Sequence, residues 1–332
     1  MITIKDVAAE AGVAISTVSK VLNGYPGVSS TTKEKVNNAV STLGFTPNAV
    51  ASALSSKKSG RIAILMNMGM RTGAIDEINM QYLSGAIKAS LDVRLDAITI
   101  FFNMIEDMDR DTLIAYLQSQ SIEGLIIIGL SMDDTVLIEV IESETFKCVV
   151  IDAPLVNAST SVAWINHEQA QYDIIMKTLD GIEGKRILYI AGKPNSFVTE
   201  NKIRGIRRLE QDLETKATIR FGNYSELTAR EICFQKAKDV DLIACGSDLM
   251  AIGAMRALME MDIFKPVCGF DGIMLMAYAG KQMNTVKQDF AAISGVAVIE
   301  LKRLLDGGSG EEVIIPYELV RMKYEDAFIH DK

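Results

Sequence analysis

Residues 3–23 read Thr3-Ile4-Lys5-Asp6-Val7-Ala8-Ala9-Glu10-Ala11-Gly12-Val13-Ala14-Ile15-Ser16-Thr17-Val18-Ser19-Lys20-Val21-Leu22-Asn23. Ile4, Val7, Ala8 and Ala11 recur at the spacing of one apolar helical face. Thr3 is placed to cap that helix, with Asp6 three residues on to answer it. Gly12 permits a sharp turn, and Val18, Val21 and Leu22 supply the apolar face of a second helix. Ala8, Gly12 and Val18 have the small residue, turn glycine, apolar residue spacing of a helix-turn-helix, whose second helix enters a DNA major groove. Ile15, Ser16, Ser19 and Lys20 point away from that apolar face and are free to meet bases.

The stretch resembles the amino-terminal signature of the lactose-repressor/galactose-repressor family of bacterial transcription regulators. The matching residues are Thr3, Asp6, Val7, Ala8, Ala11, Gly12, Val13, Thr17, Val18, Ser19, Val21, Leu22 and Asn23. Two positions depart from it. Ala14 replaces the usual cap serine, removing an acceptor worth about 1 kcal/mol. Lys20 replaces an arginine, exchanging a bidentate fork for a point charge. The resemblance implies DNA contact by Ile4, Ile15, Ser16, Thr17, Ser19, Lys20, Asn23, Ser29, Thr32, Phe45 and Asn48, with Leu54 wedging into the minor groove.

The chain has 332 residues, a hydrophobic share of 48% and a net charge of −9. That length suits two or three domains. Residues 1–58 hold six lysines against three acids, so the head carries +3 and the remainder −12. A weakly basic head on an acidic body fits DNA contact confined to the head. No basic-then-apolar leader opens the sequence, and no apolar run approaches the ~20 residues of a membrane span. The four cysteines are scattered without a C-x-x-C pair, as expected of reduced thiols in the cytoplasm.

Beyond the turn at 24–27, Thr31 with Glu34 reads as the capping box of a third helix, with Val36, Ala39, Val40 and Leu43 buried and Gly44 as its stop. Thr46-Pro47-Asn48 then opens a helix of about nine residues, marginal alone in water and expected to form only when buried. From Arg61 the pattern alternates between short apolar strands and helices, with about eight strands near Ile62, Ala97, Gly124, Cys148, Ile187, Thr218, Asp241 and Val267. That alternation signals βαβ units and parallel sheets. The segments EGLIIIGLSMDD and VDLIACGSDLMA echo each other, as two similar lobes require. The expected fold is α/β: a three-helix helix-turn-helix head with a hinge helix, then a two-lobed periplasmic-binding-protein-like body with doubly wound parallel sheets. The head spans 1–45 and the hinge and linker 46–60. One lobe takes 61–155 plus 288–312, the other 156–287 plus 313–332, with crossings near 155, 288 and 313.

The body also resembles the family. Ser247-Asp248-Leu249-Met250-Ala251 lies where the family has its N-D-x-M-A, Gly269-Phe270-Asp271 matches G-[FY]-D, and Thr285-Val286-Lys287-Gln288-Asp289 lies where the family has its crossover T-x-x-x-Q, with Gln288 one place nearer the threonine. Ligands bind beyond the carboxyl ends of strands in such sheets. The resemblance therefore implies an effector pocket with Asp152, Lys202, Ser247 and Asp271, Lys202 standing in for a sugar-contacting arginine. Enzyme chemistry has little support. The only histidines, His167 and His330, are expected to be solvated surface groups, no phosphate-cradling loop occurs, and no metal-spaced set or cofactor motif is present. The sequence thus predicts a homodimeric repressor of a near-palindromic operator, gated by a small molecule of the sugar class. The competing reading is a sugar-binding or sugar-metabolising protein with the same body.

Overall fold

The computed structural model describes residues 2–22, 27–45, 60–67 and 73–325. Asn23, Asn48, Leu54, the hinge segment 46–59 and His330 lie outside the described residues. The chain forms two compact units, 1–59 and 60–332.

In the first unit, α1 (Ile4–Ala11), α2 (Ile15–Leu22) and α3 (Ser30–Leu43) bury Val7, Ala8, Ala11, Val18, Val36 and Ala39 against one another. The Asp6 carboxylate accepts both the backbone N–H and the hydroxyl of Thr3 at 2.7 Å, closing the start of α1 and holding its own pKa below the usual range. Gly12 adopts the left-handed conformation (φ 65°), so its N–H and that of Val13 reach back to Ala8 and turn the chain into α2. The Ala14 carbonyl accepts from Thr17 and Val18, so α2 starts without a side-chain cap. The expected Thr31–Glu34 box does not start α3. Ser29 does, its hydroxyl oxygen accepting from the Thr32 N–H at 3.2 Å, because the helix begins two residues earlier than that box requires, at Ser30.

The second unit has two six-stranded sheets. The first, in the order β11-β5-β4-β3-β1-β2, is wholly parallel and comprises β1 (Arg61–Met66), β2 (Asp96–Phe101), β3 (Ile122–Ile128), β4 (Lys147–Ile151), β5 (Thr160–Trp164) and β11 (Glu312–Ile314). The second, in the order β12-β10-β9-β8-β6-β7, comprises β6 (Ile187–Ala191), β7 (Thr218–Phe221), β8 (Leu242–Cys245), β9 (Val267–Cys268), β10 (Met283–Lys287) and an antiparallel edge strand β12 (Glu318–Met322). The two orders are equivalent strand for strand, and the echoing segments fall on β3 and β8, which hold matching positions. Central strands such as β1 and β3 are buried almost throughout, as sheets covered on both faces must be.

Because β5 belongs to the first sheet, the first crossing lies at 165–166 rather than near 155. The last lies beyond β11, at 315–317, rather than at 313. The crossing at 288 falls between β10 and the helix beginning at Phe290. Among the described residues there are twelve strands rather than about eight. β5 escapes an apolar-run reading because Thr160 and Ser161 occupy it. The Ser161 hydroxyl is satisfied internally, donating to Glu300 at 2.5 Å and accepting from the Glu311 N–H.

Three helix pairs cover the sheets through glycine. A Cβ at Gly85, in α4 (Gly73–Asp92), would lie 2.1 Å from the Ala291 carbonyl of α11 (Phe290–Leu305). At Gly205, in α8 (Phe197–Asp212), it would lie 2.3 Å from the Glu168 carbonyl of α7 (His167–Leu179). At Gly253, in α10 (Asp248–Glu260), it would lie 2.1 Å from the Glu226 carbonyl, where α9 (Glu226–Lys236) begins. Backbone-to-side-chain contact of this closeness admits no methyl. Gly85→Ala should therefore destabilise the chain by about 1–3 kcal/mol through overpacking. Gly295→Ala, whose Cβ would meet nothing nearer than 3.9 Å, should be neutral or stabilising through helix propensity. Thermal melts of the two variants decide; equal effects would refute the close approach as the reason for glycine.

Candidate functional site

In the head, Ile15 (45% exposed), Ser16 and Lys20 stand on the solvent side of α2, opposite buried Val18. Thr17 and Ser19 are half-buried beside them. Ile4 and Phe45 instead pack against the three-helix core, and the Ser29 oxygen is engaged in capping, with Thr32 Oγ1 2.8 Å away. Among the described candidates, the exposed side chains are thus Ile15, Ser16 and Lys20 of α2 and Ser29.

In the body, a cavity of ≈ 220 Å³ opens where the carboxyl ends of both sheets face each other. The first lobe contributes Ile78 and Tyr82 of α4, Asp152 at the end of β4, and Phe290 of α11. The second contributes His167, Val198, Lys202, Tyr224, Ser247, Leu249, Asp271 and Ile273, with Gln288 at a crossing. All four pocket residues expected from the sequence, Asp152, Lys202, Ser247 and Asp271, line this one space. Apolar walls with a few placed polar groups are the usual composition of a small-molecule site.

Each polar group has a local reason for its place. Asp152 follows β4 in the left-handed region (φ 63°), which turns its carboxylate into the cleft. Asp271 sits at φ 126°, a strained conformation for any residue with a side chain. It is held there by its N–H to the Val286 carbonyl (2.8 Å) and by its carbonyl, which accepts from Gln288 N–H (3.1 Å). Behind it lies Asp248, with no solvent exposure. Its carboxylate accepts from the N–H groups of Gly272 (2.7 Å) and Ile273 (2.9 Å) and from the Thr285 hydroxyl (2.6 Å). Asp248 therefore shapes the loop that presents Asp271. Ser247 caps α10 by accepting from the Met250 N–H at 3.3 Å. Lys202 is 3% exposed; its ammonium donates to the Gly246 carbonyl at 2.9 Å and lies 3.3 Å from the centroid of the Phe270 ring.

His167 is not the solvated surface group expected of it. It is 2% exposed, follows the Asn166 cap at the start of α7, and its Nε2 lies 2.7 Å from Asp152 Oδ1. Tyr82 donates to the other oxygen of Asp152 at 3.2 Å, so that one carboxylate ties together both lobes. His167 was misread because β5 was not recognised: without that strand, nothing shows that residue 167 falls at a strand-to-helix corner beside the cleft. Tyr82, Tyr224 and the apolar wall had no distinguishing signal in the sequence. Among the described residues three further hydrogen bonds bridge the lobes: Met132 N–H to the Asn195 carbonyl (2.8 Å), the Asn195 amide to the Asp133 carboxylate (3.2 Å) and Met274 N–H to Glu77 (3.2 Å). Among the described residues there is no group of three side chains suited to a metal, and no helix is long and apolar enough to cross a membrane.

Residues 3–48 match the family described as bacterial regulatory proteins, lacI family. The chain is 26% identical over 331 residues to catabolite control protein A of Priestia megaterium, covering 95% of this chain and 96% of that one. It is 25% identical over 339 residues to the HTH-type transcriptional regulator MalR of Clostridium butyricum, covering 96% and 97%. Its fold is similar to that of the lac repressor dimer bound to operator and the anti-inducer ONPF (TM-score 0.82, 23% identity, 97% of this chain and 99% of that one). It is also similar to a transcriptional regulator CelR–cellobiose complex (TM-score 0.70, 22% identity, 97% and 100%).

Burial sets the protonation of the site. It raises the Asp271 carboxyl to about 8 against the pull of Lys202, and Asp248 to about 6 against its three hydrogen bonds. It lowers the Lys202 ammonium to about 8 against Asp271, Asp152 and Asp248. A carboxyl whose folded pKa is raised holds its proton longer in the folded chain, so stability falls as pH rises from the unfolded value toward the folded one. For Asp248 that window runs from about 4 to about 6, and for Asp271 from about 4 to about 8. Lys202 acts only above about 8. Asp271→Asn should therefore melt progressively higher than wild type as pH rises from 5 to 8, without ligand. A melting-temperature difference that stays constant over that range would contradict the buried-charge reading of Asp271.

Proposed function

The chain belongs to the LacI/GalR family of bacterial transcription regulators, and on that premise we propose that it is a repressor whose body is operated by a small polyhydroxylated effector. Two heads of a homodimer engage a near-palindromic operator, and a ligand between the lobes changes how well they do so. The observation that carries this reading is the cavity itself. Its polar groups come from both lobes and from a crossing, so a molecule filling it bears on the angle between the lobes. Asp152 and Asp271 offer carboxylate oxygens that accept hydroxyl hydrogens in pairs, and Tyr82, Leu249 and Phe290 offer apolar surface to the C–H faces of a ring. The regulator CelR was solved with cellobiose, and a sugar suits the groups present here. Signal passes to the head through residues 46–60, read from the sequence as a helix that forms only when buried.

A sugar-metabolising enzyme with this body would need a working base. The His167–Asp152 pair has the form of an oriented base, yet its remaining nitrogen meets no hydrogen-bond partner, hydroxyl or thiol among the described residues. The Ser247 oxygen is occupied by the Met250 N–H. The site is arranged to hold a ligand.

A thermal-shift screen of sugars should find compounds that stabilise the wild type by mass action, and Asp271→Ala should abolish the shift. The same compound should alter operator affinity of the wild type in a mobility-shift assay and leave the variant's operator affinity unchanged. A sugar that moves operator affinity in both proteins would sink the assignment. In the head, Lys20→Ala should change which operator bases are tolerated, at about 1–3 kcal/mol per lost contact. An unchanged selected operator would mean that α2 does not present Lys20 to the bases.

A further inference from the structure

We propose that His167 is an effector-contacting residue whose bare Nδ1 accepts a ligand hydroxyl, which makes the pocket selective for an uncharged, hydroxyl-rich molecule over its phosphorylated counterpart. This rests on the reading that the effector occupies the cavity between the lobes.

Two side chains lining that cavity hold a buried polar atom with no partner among the described residues, His167 Nδ1 and Gln288 Oε1. With His167 neutral, their donor and acceptor roles follow from the bonds they do make. A carboxylate only accepts, so the nitrogen 2.7 Å from Asp152 carries the proton and the other nitrogen of a neutral imidazole is a bare acceptor. Gln288 donates its amide to Asp271 at 3.2 Å, which leaves its oxygen as a second unpaired acceptor. A buried acceptor without a donor is costly, and a ligand that supplies the donor removes the cost. Donors are scarce on the same walls. Lys202 already gives one N–H to the Gly246 carbonyl and faces the Phe270 ring, and the Tyr224 hydroxyl is 3.0 Å from that of Thr199.

The charges point the same way. Asp152 lines the cavity and Asp248 lies behind it, against one cation among the described lining residues, Lys202, while burial holds Asp271 toward its neutral form. Helix amino-termini attract anions, and α7, α8 and α10 all begin beside the cleft. Each of these ends is already answered by an acid in its first turn: Glu168, Glu200 and Asp248. A phosphate would meet more carboxylates than cations. A hydroxyl fits better, donating to Nδ1 while accepting from the N–H groups that Lys202 has left.

The chain has two histidines, so selective 15N labelling of full-length protein gives a readable spectrum. The probes are D-glucose, D-galactose, D-mannose and D-ribose with their terminal phosphates, ranked by calorimetry. The tightest binder should be unphosphorylated and at least about tenfold tighter than its phosphate, the worth of roughly 1.4 kcal/mol. On saturation the bare-nitrogen resonance of His167 should move upfield while Nε2 stays protonated. His167→Gln keeps a donor toward Asp152 but lacks the imine, and should weaken binding about tenfold for one lost hydrogen bond. A phosphate that binds more tightly than its parent sugar, or an Nδ1 resonance unmoved at saturation, would overturn the proposal. Asp271→Ala separates the two levels. Binding that is lost in Asp271→Ala but untouched in His167→Gln overturns only the role of His167. Binding untouched in both removes the ligand from this cavity altogether.

Discussion

A carboxylate with no access to solvent, Asp248, sets the geometry on which the body depends. It joins the start of α10 to the loop 271–273 through two backbone N–H groups, and to β10 through the Thr285 hydroxyl. Asp271 keeps its strained φ of 126° because the residues after it are gripped in this way and its own N–H and carbonyl are paired with Val286 and Gln288. Three residues beyond Thr285 the chain crosses between lobes at Gln288, which donates back to Asp271. One buried acid thus fixes a pocket carboxylate and the start of a crossing together. Burial alone disfavours its charge; the three hydrogen bonds are what keep a carboxylate tolerable there.

The cleft shows the opposite economy. Its groups are incompletely satisfied: among the described residues His167 Nδ1 and Gln288 Oε1 have no partner, and Asp271 and Lys202 are each driven by burial toward neutrality. A protein selected for stability alone would replace such groups with apolar ones. Their presence at the contact line of two lobes gives a ligand differential interaction energy, which is what shifts a conformational equilibrium. Asp152 is central to this. It receives Tyr82 from its own lobe and His167 from the other, so a hydroxyl that competes for its oxygens alters the link between lobes.

Much of this was legible in the sequence, and the failures have causes. The helix-turn-helix announced itself through Ala8, Gly12 and Val18, because a turn between two short helices leaves few residue choices. Asp152, Lys202, Ser247 and Asp271 were found by their positions after strands or near glycine and by family likeness, and the structure brings all four to one cavity. β5, β10, β11 and β12 were not seen, β10 because Asn284, Thr285 and Lys287 interrupt its apolar residues. β5 carries Thr160 and Ser161 in its buried ladder, β11 has three residues, and β12 is an edge with exposed Glu318 and Arg321. Their loss displaced two crossings and hid His167. Buried polar atoms left without partners carry no sequence signature at all, since they arise only from how distant segments meet.

The central claim is that a ligand between the lobes is read as a change in their separation. All four native cysteines are buried, so dyes can be placed on introduced ones, Asp107→Cys in the first lobe and Lys238→Cys in the second, both at exposed positions. Single-molecule energy transfer on the full-length protein, with a sugar that stabilises it and with operator DNA, tests the claim directly. Reciprocity of coupling requires that an inducer and the operator shift the inter-lobe distance in opposite directions, and a corepressor and the operator in the same direction. A sugar that changes operator affinity while the distance distribution stays where it was would contradict the account.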